Sequence, residues 1–459
     1  VKNAGIARKP SACLQIQLPE ITVFCRKVVH QGFDLQQMGS PRFARPWISA
    51  VMLLLMSGVI VTQRWHTFDE PMDRDISGYA VIGHEMLHGR CLYSDLWERK
   101  PPLLFAVFAA SESVTGYGPR EIFLLNVLAA LGTLVAVYAA GGVFAAMLWT
   151  LFCGDMWLLG NQPNAEAFVN LCMAGGFTVL VRLPGVHHRR RAVVLGALFA
   201  AATLFKHHVV VMCAGILLAD FFVSGDEQKS RSFQSRMLDG LIAAGVMVIA
   251  YMLSAWIVVA LPGHFWAHYY QLMLPPLCIG GGWCAAAILQ SKGRLPMLVR
   301  VGLMSMLLMF AICWEGASYR LNADAWAREK YATDDLPAEQ SLGLELGRLL
   351  KPDERFWEWG DDNVLYFASR KSPPSGLLYL QPITSGPEQG VYADRMMKAL
   401  TRSSPDLVMI DQRWAAALPA NIMQWLSEQY VPYRGDLNRL TYRVMLRRGS
   451  DIARRLGQN

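Results

Sequence analysis

The stretch RDISGYAVIGHEMLHGRCLYSDLWERKPPLLF, residues 74–105, crowds acids, histidines and bases between long apolar runs. Asp73 and Asp75 directly precede residues 76–89, a helical pattern with Ile76, Tyr79, Gly83 and Met86 on one face. An Asp there suits an N-cap. A carboxylate at a membrane surface can also activate an acceptor hydroxyl as a general base, and the two roles are compatible. HEMLH sets His84 and His88 one helical turn apart, the spacing of two zinc ligands, with Glu85 as the base of a metalloprotease. Arg99 and Lys100 precede Pro101-Pro102, which starts a second helical pattern over 102–116. Cations at a helix N-terminus favour a phosphate.

Other polar groups recur far along the chain. Glu166 opens a helix after the turn NQPN, with Asp155 about two turns inside the preceding helix, near its outer end. Lys206, His207 and His208 break an apolar stretch. A lysine there is costly unless it is paired, snorkels to headgroups or meets an anionic ligand. The segment PGHFWAHYYQLMLPPL carries His264, His268, Tyr269 and Tyr270, which suit either interface anchors or site residues.

The elements that must position these groups are membrane helices. Of 459 residues, 53% are apolar and only 17% charged, against about 25% charged in soluble domains. Mean hydropathy is +0.25. The nine cysteines contain no CxxC pair, which argues against a zinc ribbon or a disulfide scaffold. The net charge of +7 does not indicate nucleic acid, because the bases sit at the ends of apolar runs and there set membrane orientation. Apolar runs fall at 47–64, 121–140, 143–160, 167–183, 192–205, 208–223, 237–261, 271–290 and 297–315. Joining 192–205 to 208–223 would make a helix of about 48 Å, too long for a hydrocarbon core of about 30 Å. Basic segments flank the pair on both sides, RLPGVHHRRR before and Lys229, Arg231 and Arg236 after. Arg42, Arg45, Lys292 and Arg294 also read as cytoplasmic.

The expected fold is thus a polytopic α-helical membrane protein with about nine transmembrane helices. Residues 1–45, which lack a signal-peptide pattern, form a cytoplasmic tail. Residues 46–317 form the membrane domain, with an outer loop at 66–120. Residues 318–459 form a soluble α/β domain outside, with strands in RFWEWG and PDLVMID and helices over 338–350, 391–402 and 420–430. This topology gathers the polar chemistry on one face. A third zinc ligand for HEMLH would come from Leu238-Asp239-Gly240. Asp239 begins a helix on the opposite face, about 30 Å away, so no metal is expected.

These pieces together resemble the GT-C superfamily of lipid-linked-sugar glycosyltransferases, and among them the dolichyl-phosphate-mannose–protein mannosyltransferases and lipid A aminoarabinose transferases. The resemblance rests on Asp75 and Tyr79, Leu87-His88-Gly89, Tyr93-Ser94-Asp95-Leu96-Trp97 and Lys100-Pro101-Pro102. It continues in Asn164-Ala165-Glu166, Leu204-Phe205-Lys206, His268-Tyr269-Tyr270 and Leu274-Pro275-Pro276. It implies a GT-C fold in the bacterial plasma membrane and an inverting transfer of a sugar from polyprenyl phosphate to an acceptor hydroxyl. Asp75 is then the base, with Asp73 as its competitor and Glu166 assisting. Lys100, Arg99, Lys206 and His207 would hold the donor phosphate. Tyr79, Tyr93, Asp95, His268 and Tyr270 would contact substrate. The implied partners are the lipid-linked sugar, membrane lipids and a lipid, glycan or protein acceptor. No cofactor is implied. The alternatives are a transporter or lipid flippase, for which no inverted repeat is found, and an intramembrane zinc protease.

Overall fold

The computed structural model describes residues 46–183, 188–223, 233–290, 296–332 and 335–457. The tail at 1–45 and the bases Lys229, Arg231, Lys292 and Arg294 lie outside the described residues. Helix α1 (Pro46–His66) runs up to the polar end of the bundle. There Arg64 binds Asn126 Oδ1 (3.2 Å) and the carbonyls of Cys153 (2.7 Å) and Gly160 (3.1 Å). Two short helices follow, α2 (Arg74–Leu87) and α3 (Pro102–Thr115). Helix α4 (Pro119–Phe152) has 34 residues, about 51 Å if straight. It folds back at Gly142, whose φ of 78° lies in the left-handed region that glycine tolerates. Trp149 Nε1 on the returning leg donates to Ala130 O on the outgoing one (3.0 Å).

The apolar runs expected at 121–140 and 143–160 are therefore the legs of one hairpin. The second leg stops at Phe152, and Asp155 sits in the turns beyond it rather than inside a helix. Helices α5 (Ala165–Arg182), α6 (His188–Phe205), α7 (Val210–Val223), α8 (Phe233–Ala260), α9 (Leu274–Gln290) and α10 (Met297–Ser318) complete the bundle. The end opposite Arg64 is marked by Arg182 on Ala139 O, Arg191 on Asp220 (3.1 Å) and Trp283 Nε1 on Ala140 O (3.1 Å). By length and composition, five helices among the described residues can cross a membrane: α1, α4, α5, α9 with its preceding turn, and α10. Of the other apolar helices, α3, α7 and the stretch Gly245–Ala260 of α8 are shorter, and α6 begins with a basic run that includes Arg189, Arg190 and Arg191. The sequence leads to nine crossings, whereas five helices among the described residues have the length and composition for one.

After α10 come α11 (Ala323–Lys330) and α12 (Leu336–Leu349), then a four-stranded sheet in the order β1-β2-β4-β3. Strands β1 (Phe356–Trp359) and β2 (Leu407–Asp411) are parallel, with Phe356 opposite Leu407. Strand β4 (Tyr442–Arg447) pairs antiparallel with β2 and with β3 (Tyr430–Pro432). The period of two sends Phe356, Leu407 and Met409 to one core and Trp357, Trp359 and Val408 to another. Helices α13 (Val364–Ser369), α14 (Gln389–Arg402) and α15 (Ala420–Gln429) pack around the sheet.

Helix α2 is buried along most of its length instead of lying exposed as an amphipathic surface helix. On one side Gly83 meets α3 so closely that a Cβ would stand 2.9 Å from Ala109 N. On the other, a Cβ on Gly78 would overlap the Tyr379 hydroxyl of the C-terminal domain. A buried pair holds the entry to α2. Lys330 Nζ, with no exposed side-chain surface, bonds Glu70 Oε1 (2.7 Å) and Asn161 Oδ1 (3.0 Å).

Removing one partner of a buried ion pair costs about 3–5 kcal/mol, because the other charge is left desolvated. Lys330→Met should lower thermal stability in detergent by that amount. The double variant Glu70→Gln/Lys330→Met should recover most of the loss. A double variant as unstable as the single one refutes this account.

Candidate active site

The polar end of the bundle gathers side chains from five separate segments. Asp73 caps α2, its Oδ1 accepting from Ile76 N (2.8 Å), while its Oδ2 accepts from Tyr331 Oη (2.7 Å). With both oxygens engaged and 8% exposure, Asp73 is the more enclosed of the two acids. Asp75, in the first turn, keeps about a quarter of its side chain accessible. Its Oδ2 accepts from Tyr79 Oη (3.1 Å) and Lys100 Nζ (3.3 Å). Lys100 also lies 4.4 Å from the Tyr79 ring centroid, a cation–π contact.

Burial by itself would raise the Asp75 carboxyl. The electrostatic effects of Lys100, His268 and Arg74, with the Tyr79 hydrogen bond, outweigh it and hold the group well below the usual carboxylate range. Burial likewise works against charge on Lys100, but Asp75 and Glu98 raise its pKa. Tyr79 is held as the neutral phenol, first by burial and then by the Asp75 charge.

Across the site, Lys206 Nζ bonds Glu166 Oε1 (2.5 Å) and stands 3.4 Å from the Tyr269 ring centroid. His268 is within electrostatic reach of both Asp75 and Glu166, and Lys100 is within reach of Glu166. The structure thus brings Asp75, Tyr79, Lys100, Glu166, Lys206 and His268 together. Tyr269 meets Lys206, whereas Tyr270 faces Trp256 (6.1 Å). Arg99 is exposed but within reach of Tyr269. His207 is exposed and packs on His208.

Tyr93 and Asp95 shape the loop that delivers Lys100. Asp95 Oδ2 accepts from Cys91 N (2.8 Å), and Tyr93 Oη donates to Lys100 O (2.9 Å). Tyr93 adopts a left-handed φ of 71°, costly for a side chain with a Cβ, and its amide donates to Leu96 O (2.7 Å). Glu98 Oε1 accepts from the backbone amides of Arg99 (2.6 Å) and Lys100 (3.3 Å).

HEMLH has other partners. His84 Nδ1 is 2.7 Å from Glu112 Oε1, and its ring stacks on Tyr117 at 4.3 Å. His88 Nδ1 lies 2.8 Å from His84 O, and Glu85 Oε2 accepts from Arg90 (3.0 Å). Among the described residues no group of three His, Cys, Asp or Glu is arranged to hold a metal.

Sequence reasoning missed Tyr331, Glu98 and Tyr379. Tyr379 is partly buried, its enclosed hydroxyl has no hydrogen-bond partner, and it lies within reach of the Asp75 charge. The adjacent Glu-Arg-Lys run was a usable signal for Glu98. Nothing local marks the two tyrosines.

The lowered Asp75 pKa has a definite pH signature. Its contribution to stability is complete above the unfolded-state value of about 3.9 and is lost as pH falls through the lower folded value. The stability gap between wild type and Asp75→Asn should stay constant from neutrality to about pH 4 and narrow only in stronger acid. Chemical unfolding in detergent at stepped pH measures it. A gap that closes between neutrality and pH 5 contradicts the assignment.

No family model and no curated protein matches the sequence. Among solved structures, ArnT from Cupriavidus metallidurans bound to undecaprenyl phosphate is similar, with a TM-score of 0.51 and 12% identity. The match covers 88% of this chain and 98% of that one. The apo state of the same protein gives a TM-score of 0.49 and 13% identity over the same shares. The polytopic helical bundle with a C-terminal α/β domain expected from the sequence is the fold found, and this chain shares that fold with ArnT.

Proposed function

We propose that this protein is a membrane glycosyltransferase that moves a sugar from a polyprenyl phosphate to an acceptor hydroxyl on the outer face of the bacterial plasma membrane. The observation that carries this reading is the paired arrangement of Asp75 with Lys100 and Glu166 with Lys206 around His268 at one end of an apolar bundle. Its fold is shared with a protein whose structure holds undecaprenyl phosphate.

Asp75 takes the proton from the acceptor hydroxyl. The acceptor oxygen attacks the anomeric carbon with inversion as the carbon–oxygen bond to phosphate breaks. The bonding pair leaves on the lipid phosphate. Fixed cations lower the energy of that developing charge, and Lys100, Arg99 and Lys206 supply them. Lys100 is held by Asp75. A donor phosphate competes for the ammonium, loosening that pair and making Asp75 a stronger base only once substrate is present. Glu166 holds Lys206 toward Tyr269. The acceptor is a lipid, a glycan or a protein, and no metal takes part in this scheme.

In this reading the polar end and the domain from residue 318 face outward. The end that carries Arg182, Arg189, Arg190 and Arg191 faces the cytoplasm, in keeping with the inner-face enrichment of bases. Cysteine labelling in intact cells, on a cysteine-free background, should reach position 208 and spare position 190. The reverse pattern refutes the orientation.

Mass spectrometry of envelope glycans with and without the protein identifies the product. Asp75→Asn should then lower transfer by roughly 10²–10⁴-fold while the protein stays folded and inserted. Asp73→Asn should retain transfer, since Asn caps a helix as well as Asp. Near-full turnover in Asp75→Asn with loss in Asp73→Asn reverses the assignment of the base. Full turnover in both removes the mechanism.

A further inference from the structure

A separate pocket, of about 430 Å³, is lined by Asp155, Met156, Trp157, Trp314, Glu315 and Glu329, among others. None of these residues belongs to the group around Asp75. The pocket sits at the polar end of the bundle, where α10 finishes: Tyr319 Oη donates to Gly154 O (3.2 Å), and His66 Nε2 lies 2.8 Å from Leu321 O. Glu315 is one turn from the end of α10 and only 5% exposed. Its Oε1 lacks a hydrogen-bond partner. The carboxyl of Asp155, which is 9% exposed, lies within electrostatic reach, so the neighbouring charge is another acid rather than a base.

A carboxylate oxygen buried without a donor is costly. Two neighbouring buried carboxyls repel each other as anions, and a cation between them relieves that cost. Two features define the cation that fits. Among the described residues no three ligands converge as a metal set. Instead, Trp157 and Trp314 present half-exposed indoles. A carboxylate beside aromatic faces is the chemistry that recognises an organic ammonium.

The location says where such a group comes from. Leu298, Met306, Leu307 and Phe310 on α10 are each more than 60% exposed, an apolar face suited to lipid tails. Trp314 lies one turn beyond Phe310, at the polar end, the depth at which tryptophans meet headgroups.

We propose that the pocket formed by Asp155, Glu315, Trp157 and Trp314 binds a primary ammonium group, carried by an ethanolamine phospholipid of the surrounding bilayer. The ammonium donates to the free Glu315 oxygen and lies against the indoles, and the lipid tails run along α10.

The test uses the full chain in vesicles of equimolar phosphatidylethanolamine and phosphatidylglycerol, followed by extraction and native mass spectrometry of retained lipid. Wild type should retain the ethanolamine lipid with a preference of roughly tenfold or more, the scale of one charge-assisted hydrogen bond. That preference should fall close to unity in Glu315→Gln. Trp314→Leu, at an exposed site that does not hold the fold, should weaken it as well. Equal retention of the two lipids by wild type overturns the proposal. So does a preference unchanged in both variants. Soluble ethanolamine at millimolar concentration distinguishes the sources. Failure to displace the lipid upholds the bilayer as the source. Displacement upholds the ammonium site and overturns the lipid as its natural occupant.

Discussion

The ammonium of Lys330 has no exposed surface, and its bonds to Glu70 and Asn161 join three distant parts of the chain. Taking both charges out of water is expensive, so the pair forms only where the geometry is complete. Burial raises the Glu70 carboxyl, and Lys330 opposes that rise. The next residue, Tyr331, donates to Asp73, which caps α2. The helix that starts with Asp75 is therefore anchored by a segment from beyond the last bundle helix. The C-terminal domain also closes over α2 through Tyr379 and Asn363, whose Nδ2 donates to Arg74 O (3.5 Å).

This anchoring explains how two acids two residues apart have different fates. Asp73 spends both oxygens on backbone and tyrosine, whereas Asp75 is left facing cations. The surplus of positive charge around Asp75 keeps it ionised, which by itself makes a weak base. The same cations are the groups that an anionic ligand would claim.

The loop from Cys91 to Pro102 shows a polar sequence used mostly to make shape. Asp95 and Tyr93 fold it internally. Trp97 N donates to Gly376 O (2.9 Å) and fastens it to the C-terminal domain. Gly376 is required there, because a Cβ would overlap Asp95 O. HEMLH is likewise a packing element: its histidines lean on Glu112, Tyr117 and each other, where α2 meets α3.

Much of this was legible in the order of residues. Long apolar runs with bases at their ends specify a helical bundle with two unlike ends, because the cost of burying charge in hydrocarbon is local to each run. Alternating patterns marked β1 and β2, and the helices around them, to within a few residues. Asp75, Lys100, Glu166, Lys206 and His268 were recognisable because each is a charged or ionisable group at the end of an apolar segment. The fold-back at Gly142 was not legible as a single helix reversing, since it rests on one backbone conformation. Neither was the choice between Asp73 and Asp75, which depends on Tyr331 some 258 positions away, nor that between Tyr269 and Tyr270, which depends on the turn of a short 3₁₀ segment. Local sequence determines which groups are costly to bury; only the packed structure decides which partner relieves that cost.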